Sequence, residues 1–315
     1  MSTIDPNPHR AGSATTGPGK LQIRDDLQRS YQDIYTPETL AALEGLARFN
    51  RDVKDLMAAR IERRARRFRD REYIGFLDAN DTIPRTEISV RDARDGKFVG
   101  PEIPEDLKRQ WIQGTGPGAK PGAPIESSIR NVAYALLSGA DGWMFDGEDA
   151  LGQITAMSLD NQRNLKLAIH KDPIFLNACE QVAKEMNQWA LGFHQREIIS
   201  DWRTQLDFTT KIFRARGLHL DDRHIRDQDG GPFSASIVDM VLYVVNNHEQ
   251  LGREGSSIAL YLPKIQTAEE AGLWRQMIEA LEAHLGLQAG TIKVYVLVEQ
   301  LEATFQLMEI RAALG

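Results

Sequence analysis

An α/β fold built on a parallel sheet is predicted for this chain, and three observations carry the prediction. Strand-like and helix-like segments alternate four times through the second half. The segments between strands are long enough to serve as the crossovers that parallel pairing requires. The stretch TIKVYVLVE (291–299) sets Val294, Val296 and Val298 against Tyr295 and Leu297, which is the period of a strand. A closed barrel and an open doubly wound sheet both satisfy this alternation. With 315 residues, 42% of them hydrophobic, the chain has material for one large domain or two small ones with a substantial core.

In chain order, MSTIDPNPHRAGSATTGPGK lacks an apolar signal core, and its Gly, Pro, Ser and Thr content predicts a disordered or extended segment up to residue 36. Helix is predicted over 37–72: Thr36 is an N-cap followed by Pro37 at the first helical position, and Leu40, Leu43, Leu46, Phe49, Val53, Leu56 and Met57 recur at helical spacing. RIERRARRFRDR (60–71) carries seven arginines; in an acidic chain it reads as a solvated helix face. Residues 73–125 read as irregular with short extended pieces, and TGPGAKPGAP (115–124) as a loop. SSIRNVAYALLSG is a helix leading into the extended ADGWMFDGEDA, and a helical region in at least two pieces covers 158–200. KIFRARG (211–217) and SIALYLPK (257–264) are strand-like, with the helical SIVDMVLYVVNNHEQL between them. Thr267 and Glu270 have capping-box spacing at the head of TAEEAGLWRQMIEALEAHLG. ATFQLMEIRAAL closes the chain as helix.

Composition excludes several classes. A net charge of −7 argues against a general nucleic-acid binder. No run of about 18 consecutive apolar residues points to a membrane span. The single cysteine, Cys179, forbids an internal disulfide and a Cys-rich zinc site and points to the cytoplasm; at helical spacing in PIFLNACEQVAKEM it is a packing residue. Trp143, Trp189 and Trp274 are predicted core aromatics. No strand is followed by a nucleotide-binding glycine fingerprint. The two histidines of HLDDRH (219–224) read as part of a turn.

The candidate chemistry collects at the C-terminal ends of the strands. The first ends in Asp146, Glu148 and Asp149, the second carries Arg214 and Arg216, the third ends in Lys264 and the fourth in Glu299. Such ends form one rim in a parallel barrel, and an open sheet binds ligands at the same edge. Two arginines two residues apart on a strand share a face, so Arg214 and Arg216 are expected to meet this ring of carboxylates and any anion held there. The carboxylates also suit magnesium, which takes one or two of them along with water and substrate oxygens. The plain alternative is a set of buried salt bridges.

FDGEDA (145–150), RARGLHLDDRH, YLPKIQTAEEAGLW (261–274) and GTIKVYVLVEQLEATFQLMEI (290–310), in this order, resemble motifs of the malate synthases, specifically the short A-type form. Weaker echoes lie in LMAARIERR and SVRDARDGKFVGPEIPEDL, so the resemblance runs from about residue 37 to the end. It implies a (β/α)8 TIM-type barrel, here about four β/α units over 126–315, behind an N-terminal helical clasp over 37–125. It implies condensation of acetyl-CoA with glyoxylate or a similar 2-oxo acid, with thioester hydrolysis and Mg2+. By position, Arg214 would polarise the glyoxylate carbonyl, Glu299 would bind the metal, and Glu148 and Asp149 would approach it through waters. Arg216, Asp146 and Lys264 would support them. The sequence departs from the family at Gly147, where an aromatic residue is usual, and at QLEA after Glu299. The second metal carboxylate, the aspartate base and much of the CoA site belong to later strands of the family, so a C-terminal half in trans or in a longer product is expected. A CoA-ester aldol lyase of the citrate-lyase type, and a non-catalytic half barrel that binds a partner, stand as alternatives.

Overall fold

The computed structural model describes residues 21–115, 123–149 and 156–315. Residues 1–20, and all of TGPGAKPGAP except its two ends, lie outside them. Five strands form one parallel sheet: β1 (Trp111–Thr115), β2 (Gly142–Asp146), β3 (Thr210–Arg214), β4 (Ile258–Leu262) and β5 (Ile292–Val296). Their spatial order follows the sequence, each hydrogen-bonded in parallel to the next. The sequence reading found four of these. The fifth, β1, lies in the stretch read as irregular. Neither β1 nor β5 has a second partner among the described residues, so the sheet is an unclosed barrel wall.

Alternation along the strands separates two faces. Phe145, Phe213 and Leu260 face the helices and join the main core. Met144, Ile212, Ala259 and Tyr261 face the other way, where Trp111 and Tyr295 pack against them, Trp111 edge-on to Tyr261 at 5.3 Å. The register sets Asp146 beside Arg214, Arg214 beside Tyr261 and Tyr261 beside Tyr295. Asp146 and Arg214 therefore stand one pleat above Met144 and Ile212, at the C-terminal rim of the inner face.

The predicted helix over 37–72 is two helices, α1 (Pro37–Leu46) and α2 (Phe49–Asp70). Thr36 caps α1 as expected, its hydroxyl accepting from the amide of Thr39 at 3.2 Å. α2 stops at Arg71, whose left-handed backbone (φ 55°) ends the hydrogen-bond ladder. Then α3 (Ile125–Leu136), α4 (Met157–Ile169), α5 (Pro173–His194), α6 (Ala235–Arg253), α7 (Ala268–Leu285) and α8 (Leu307–Leu314) follow the strands. Thr267 caps α7, accepting from the amide of Glu270 at 3.3 Å. The Glu270 carboxylate does not close the capping box; it accepts from the amide of Gln266 at 2.7 Å.

Other local expectations change. Residues 21–36 are packed, with Ile34 and Tyr35 buried. HLDDRH is mostly strand: Asp221–Arg226 pairs antiparallel with Gln22–Ile23 and with Pro232–Ser234. Trp274 is fully buried, but Trp189 is 56% exposed and meets Phe193 in a tilted contact at the surface of α5. Cys179 is buried, and burial pushes its thiol up to about 12. No helix among the described residues is long and apolar enough to cross a membrane.

Candidate functional site

Strand β3 delivers Arg214 to the rim, 1% exposed, in a fork with Asp146 at the end of β2. Arg214 Nε donates to Asp146 Oδ1 at 2.8 Å and Nη2 to Asp146 Oδ2 at 2.6 Å. Nη2 also reaches Asp149 Oδ2 at 2.9 Å. Asp146 Oδ1 in turn accepts from the amides of Glu148 and Asp149, folding the chain after β2 back over the strand end. Burial alone would lower the Arg214 guanidinium; the hydrogen bonds and charge of Asp146, with Asp149 and Glu148 behind it, outweigh burial and raise it.

The network continues across the sheet. Lys264 Nζ stands 3.4 Å from Asp149 Oδ2 and 2.8 Å from Glu299 Oε2. The Lys264 amide donates to Glu299 Oε1 at 2.9 Å, so one residue engages both oxygens of that carboxylate. The Lys264 backbone is left-handed (φ 57°), which for a non-glycine residue costs on the order of 1 kcal/mol. Asp146, Asp149, Arg214, Lys264 and Glu299 thus form one connected chain of contacts along the rim.

Arg216 goes elsewhere. The strand ends at Arg214, so the two-residue rule that would align the two arginines no longer holds. Arg216, 1% exposed, turns away into a separate buried cluster. Its Nε and Nη2 donate to Asp239 at 2.9 and 2.6 Å, and Nη2 to Asp222 at 2.7 Å. The expectation of two arginines facing one mouth is corrected: one lies at the rim, and the other ties β3 to α6 and to the small antiparallel sheet.

Glu148 is buried beneath the rim. Its Oε2 accepts from the amide of Gly217 at 2.5 Å, while Oε1 has no hydrogen-bond partner among the described residues. Glycine is required twice here. A Cβ on Gly147 would stand 2.6 Å from the Arg214 carbonyl oxygen and 2.9 Å from the Phe213 ring. This packing leaves no room for a side chain at 147. A Cβ on Gly217 would meet the His219 ring at 2.8 Å and Glu148 Oε2 at 3.2 Å. His219, read from the sequence as part of a turn, therefore stands beside this pair. Burial lowers its imidazole, helped by the charges of Arg60 and Lys264. Only its place two residues beyond a glycine that follows a strand could have signalled it.

Burial pushes Glu148 up to about 7, with the Gly217 amide opposing and the Asp149 charge adding to the rise. Between the ordinary carboxylate range and about pH 7, the folded protein therefore binds more protons than the unfolded chain. Stability accordingly falls as pH rises through that window. Glu148→Gln is expected to flatten this slope and to stabilise the protein at pH 8 by on the order of 1–3 kcal/mol. Urea unfolding midpoints at pH 5 and pH 8 check it; parallel slopes for both proteins would refute the assignment.

The rim offers carboxylate oxygens, the hard donors magnesium takes, and the unpartnered Glu148 Oε1 lies beneath it. Among the described residues no group of three or more His, Cys, Asp or Glu side chains stands in a metal-holding arrangement. The donor set fits a cation that keeps most of its ligands as water and substrate.

Comparison with known proteins bears on this geometry. A family model described as the malate synthase TIM barrel domain matches residues 210–315, the part that carries Arg214, Lys264 and Glu299. The malate synthase of Myxococcus xanthus is 30% identical over 93% of this chain and 47% of its own length. The chain is similar to part of a malate synthase. Malate synthase A of Escherichia coli K12 is 30% identical over 90% of this chain and 46% of its own length. The glyoxysomal malate synthase of Cucumis sativus is 30% identical over 93% and 45%. The chain thus spans about half the length of the malate synthases it matches.

Proposed function

We propose that this chain forms the oxoacid- and metal-binding part of a malate synthase-type site, which condenses acetyl-CoA with glyoxylate and hydrolyses the thioester. The observation that carries the reading is the continuous contact from Arg214 through Asp149 and Lys264 to Glu299. Asp146 fixes the plane of the Arg214 guanidinium through Nε and Nη2, and Nη1 donates no hydrogen bond to the described residues. That nitrogen would serve an oxygen of glyoxylate, where a guanidinium stabilises developing negative charge. Glu299, with Glu148 and Asp149 nearby, would hold Mg2+, which when bound polarises the aldehyde. Lys264 orients Glu299 and balances its charge. Deprotonation of the acetyl group and most CoA contacts are taken to come from protein outside these 315 residues, in a longer product or in trans. The buried single thiol suits a cytoplasmic setting.

The 315-residue chain is expected to bind glyoxylate in the presence of Mg2+ and to release little or no thiol from acetyl-CoA. Isothermal titration and a thiol-release assay on the purified chain test both statements. Absence of glyoxylate binding removes the proposal. Robust turnover by the chain alone refutes the division of the site.

A further inference from the structure

The arginine-rich end of α2 is not a uniformly solvated face. Arg60, Arg63 and Arg67, spaced i, i+3, i+7 on one side of the helix, are partly buried, while Arg64, Arg66, Arg69 and Arg71 are exposed. The buried side meets the two segments that follow β4 and β5. Arg60 Nη1 donates to the carbonyl of Lys264 at 3.0 Å and stands 3.6 Å from Glu270 Oε2. Arg63 donates to Gln266 Oε1 at 3.3 Å and stands 3.5 Å from Glu270 Oε1. Arg67 pairs with Glu302, three residues beyond Glu299. The two segments also touch each other, Gln266 Nε2 reaching Gln300 Oε1 at 3.2 Å.

The Lys264 peptide is thereby held from both sides. Glu299 takes its amide and Arg60 takes its carbonyl. A left-handed backbone at a non-glycine residue persists only where its surroundings over-determine it, and these two bonds do so. Glu270 is 1% exposed, and burial raises its carboxyl against the charges of Arg60 and Arg63. A carboxylate so buried is tolerated because those two cations face it.

We propose that Arg60, Arg63 and Arg67 are positioning residues. They clamp the Lys264 turn and the Glu299–Glu302 segment at the spacing that closes Lys264 onto Glu299 and Asp149. The clasp helix therefore sets the geometry of the rim without contributing a group to it. The metal readout in the test below rests on the proposed function; the exchange readout does not.

Amide hydrogen exchange by NMR on the full chain gives the first readout. Arg60→Met is expected to speed exchange of the Lys264 amide tenfold or more, while amides within α6 keep their protection. Arg60→Lys, which retains charge and a donor, is expected to restore part of it. An unchanged Lys264 rate in Arg60→Met overturns the inference. Should Arg60→Met lose protection throughout, Arg60→Lys decides: faster local exchange at Lys264 supports the clamp, and the wild-type rate overturns it. The second readout is Mn2+ binding followed by electron paramagnetic resonance. Arg60→Met is expected to weaken it about tenfold, and to have no further effect in a Glu299→Gln background, because both changes act through one carboxylate. Equal losses in both backgrounds overturn the positioning role. If the wild-type chain binds no Mn2+, the proposed function fails, and Lys264 exchange alone decides the clamp.

Discussion

Arg216→Met is expected to cost about 3–5 kcal/mol of unfolding free energy, the range for breaking a buried ion pair from one side. The guanidinium is fully enclosed between Asp222 and Asp239, each within 2.7 Å of Nη2 and each buried. Methionine fills much of the same length but leaves two carboxylates facing each other without a cation. Among the described residues Asp222 keeps only the amides of His224 and Ile225. Burial would push the Asp222 carboxyl up; the charge of Arg216, with that of His224 and the hydrogen bonds from the His224 amide and Arg216, together outweigh it and hold the group below the ordinary range. In the wild type that depressed value gives stability that is present above the unfolded-state value and lost as pH falls through the folded one. In the variant the shift reverses sign, and ionising the pair costs stability as pH rises. The deficit is therefore expected to be largest above neutral pH and to shrink towards pH 4. Urea unfolding at pH 4.5 and pH 8 checks this. A loss below about 1 kcal/mol at pH 8 would mean that the cluster's attraction barely exceeds its desolvation. Glyoxylate affinity per folded molecule is expected to be unchanged, since Asp222 and Asp239, which hold Arg216, are not rim residues.

The same pair of arginines marks how far the sequence could be read. That charged residues gather at strand ends was legible, because strand period and strand termini are local properties. Where the strand stopped was not. Arg214 is the last strand residue, and beyond it Arg216 joins a cluster built by Asp239 of α6 and Asp222 of the small sheet, beyond any local rule. Strand β1 was missed because WIQGT is short and carries a glycine; pairing with β2 makes it a strand, and that is tertiary information. The break at Ala47 and Arg48 between α1 and α2 comes two residues after Gly45, a signal overridden by the unbroken helical spacing of Leu40, Leu43, Leu46 and Phe49. By contrast Thr36 and Thr267 were legible as caps, since each acts on an amide three residues away. The docking of Arg60, Arg63 and Arg67 was read as solvation because their partners Glu270 and Glu302 lie more than 200 residues along the chain.

Arg214→Lys is expected to leave the fold nearly intact while weakening glyoxylate binding about 10- to 100-fold, the loss of one charge-assisted hydrogen bond of roughly 1.5–3 kcal/mol. Arg214 is asked for three things at once. It neutralises the buried Asp146, donates to Asp149 and, on the proposed reading, offers Nη1 to the ligand. A lysine ammonium at the same position keeps the first, since one positive charge suffices to compensate Asp146. It cannot keep the rest, because a point charge on a flexible stem lacks the planar fork that fixes where the last donor points. The two roles of Arg214 thereby become separable, which Arg214→Met would not achieve: that variant strands Asp146, 4% exposed, and its binding loss would be confounded with unfolding. Isothermal titration of glyoxylate with Mg2+ present, alongside urea unfolding of the same samples, reads both quantities. Wild-type affinity in a folded Arg214→Lys protein would remove Arg214 from the ligand. A large stability loss with affinity retained per folded molecule would mean that Asp146 and Arg214 are a structural plug, the bland reading that buried ion pairs always offer. The expected pattern, stability kept and affinity lost, is one that a plug cannot produce.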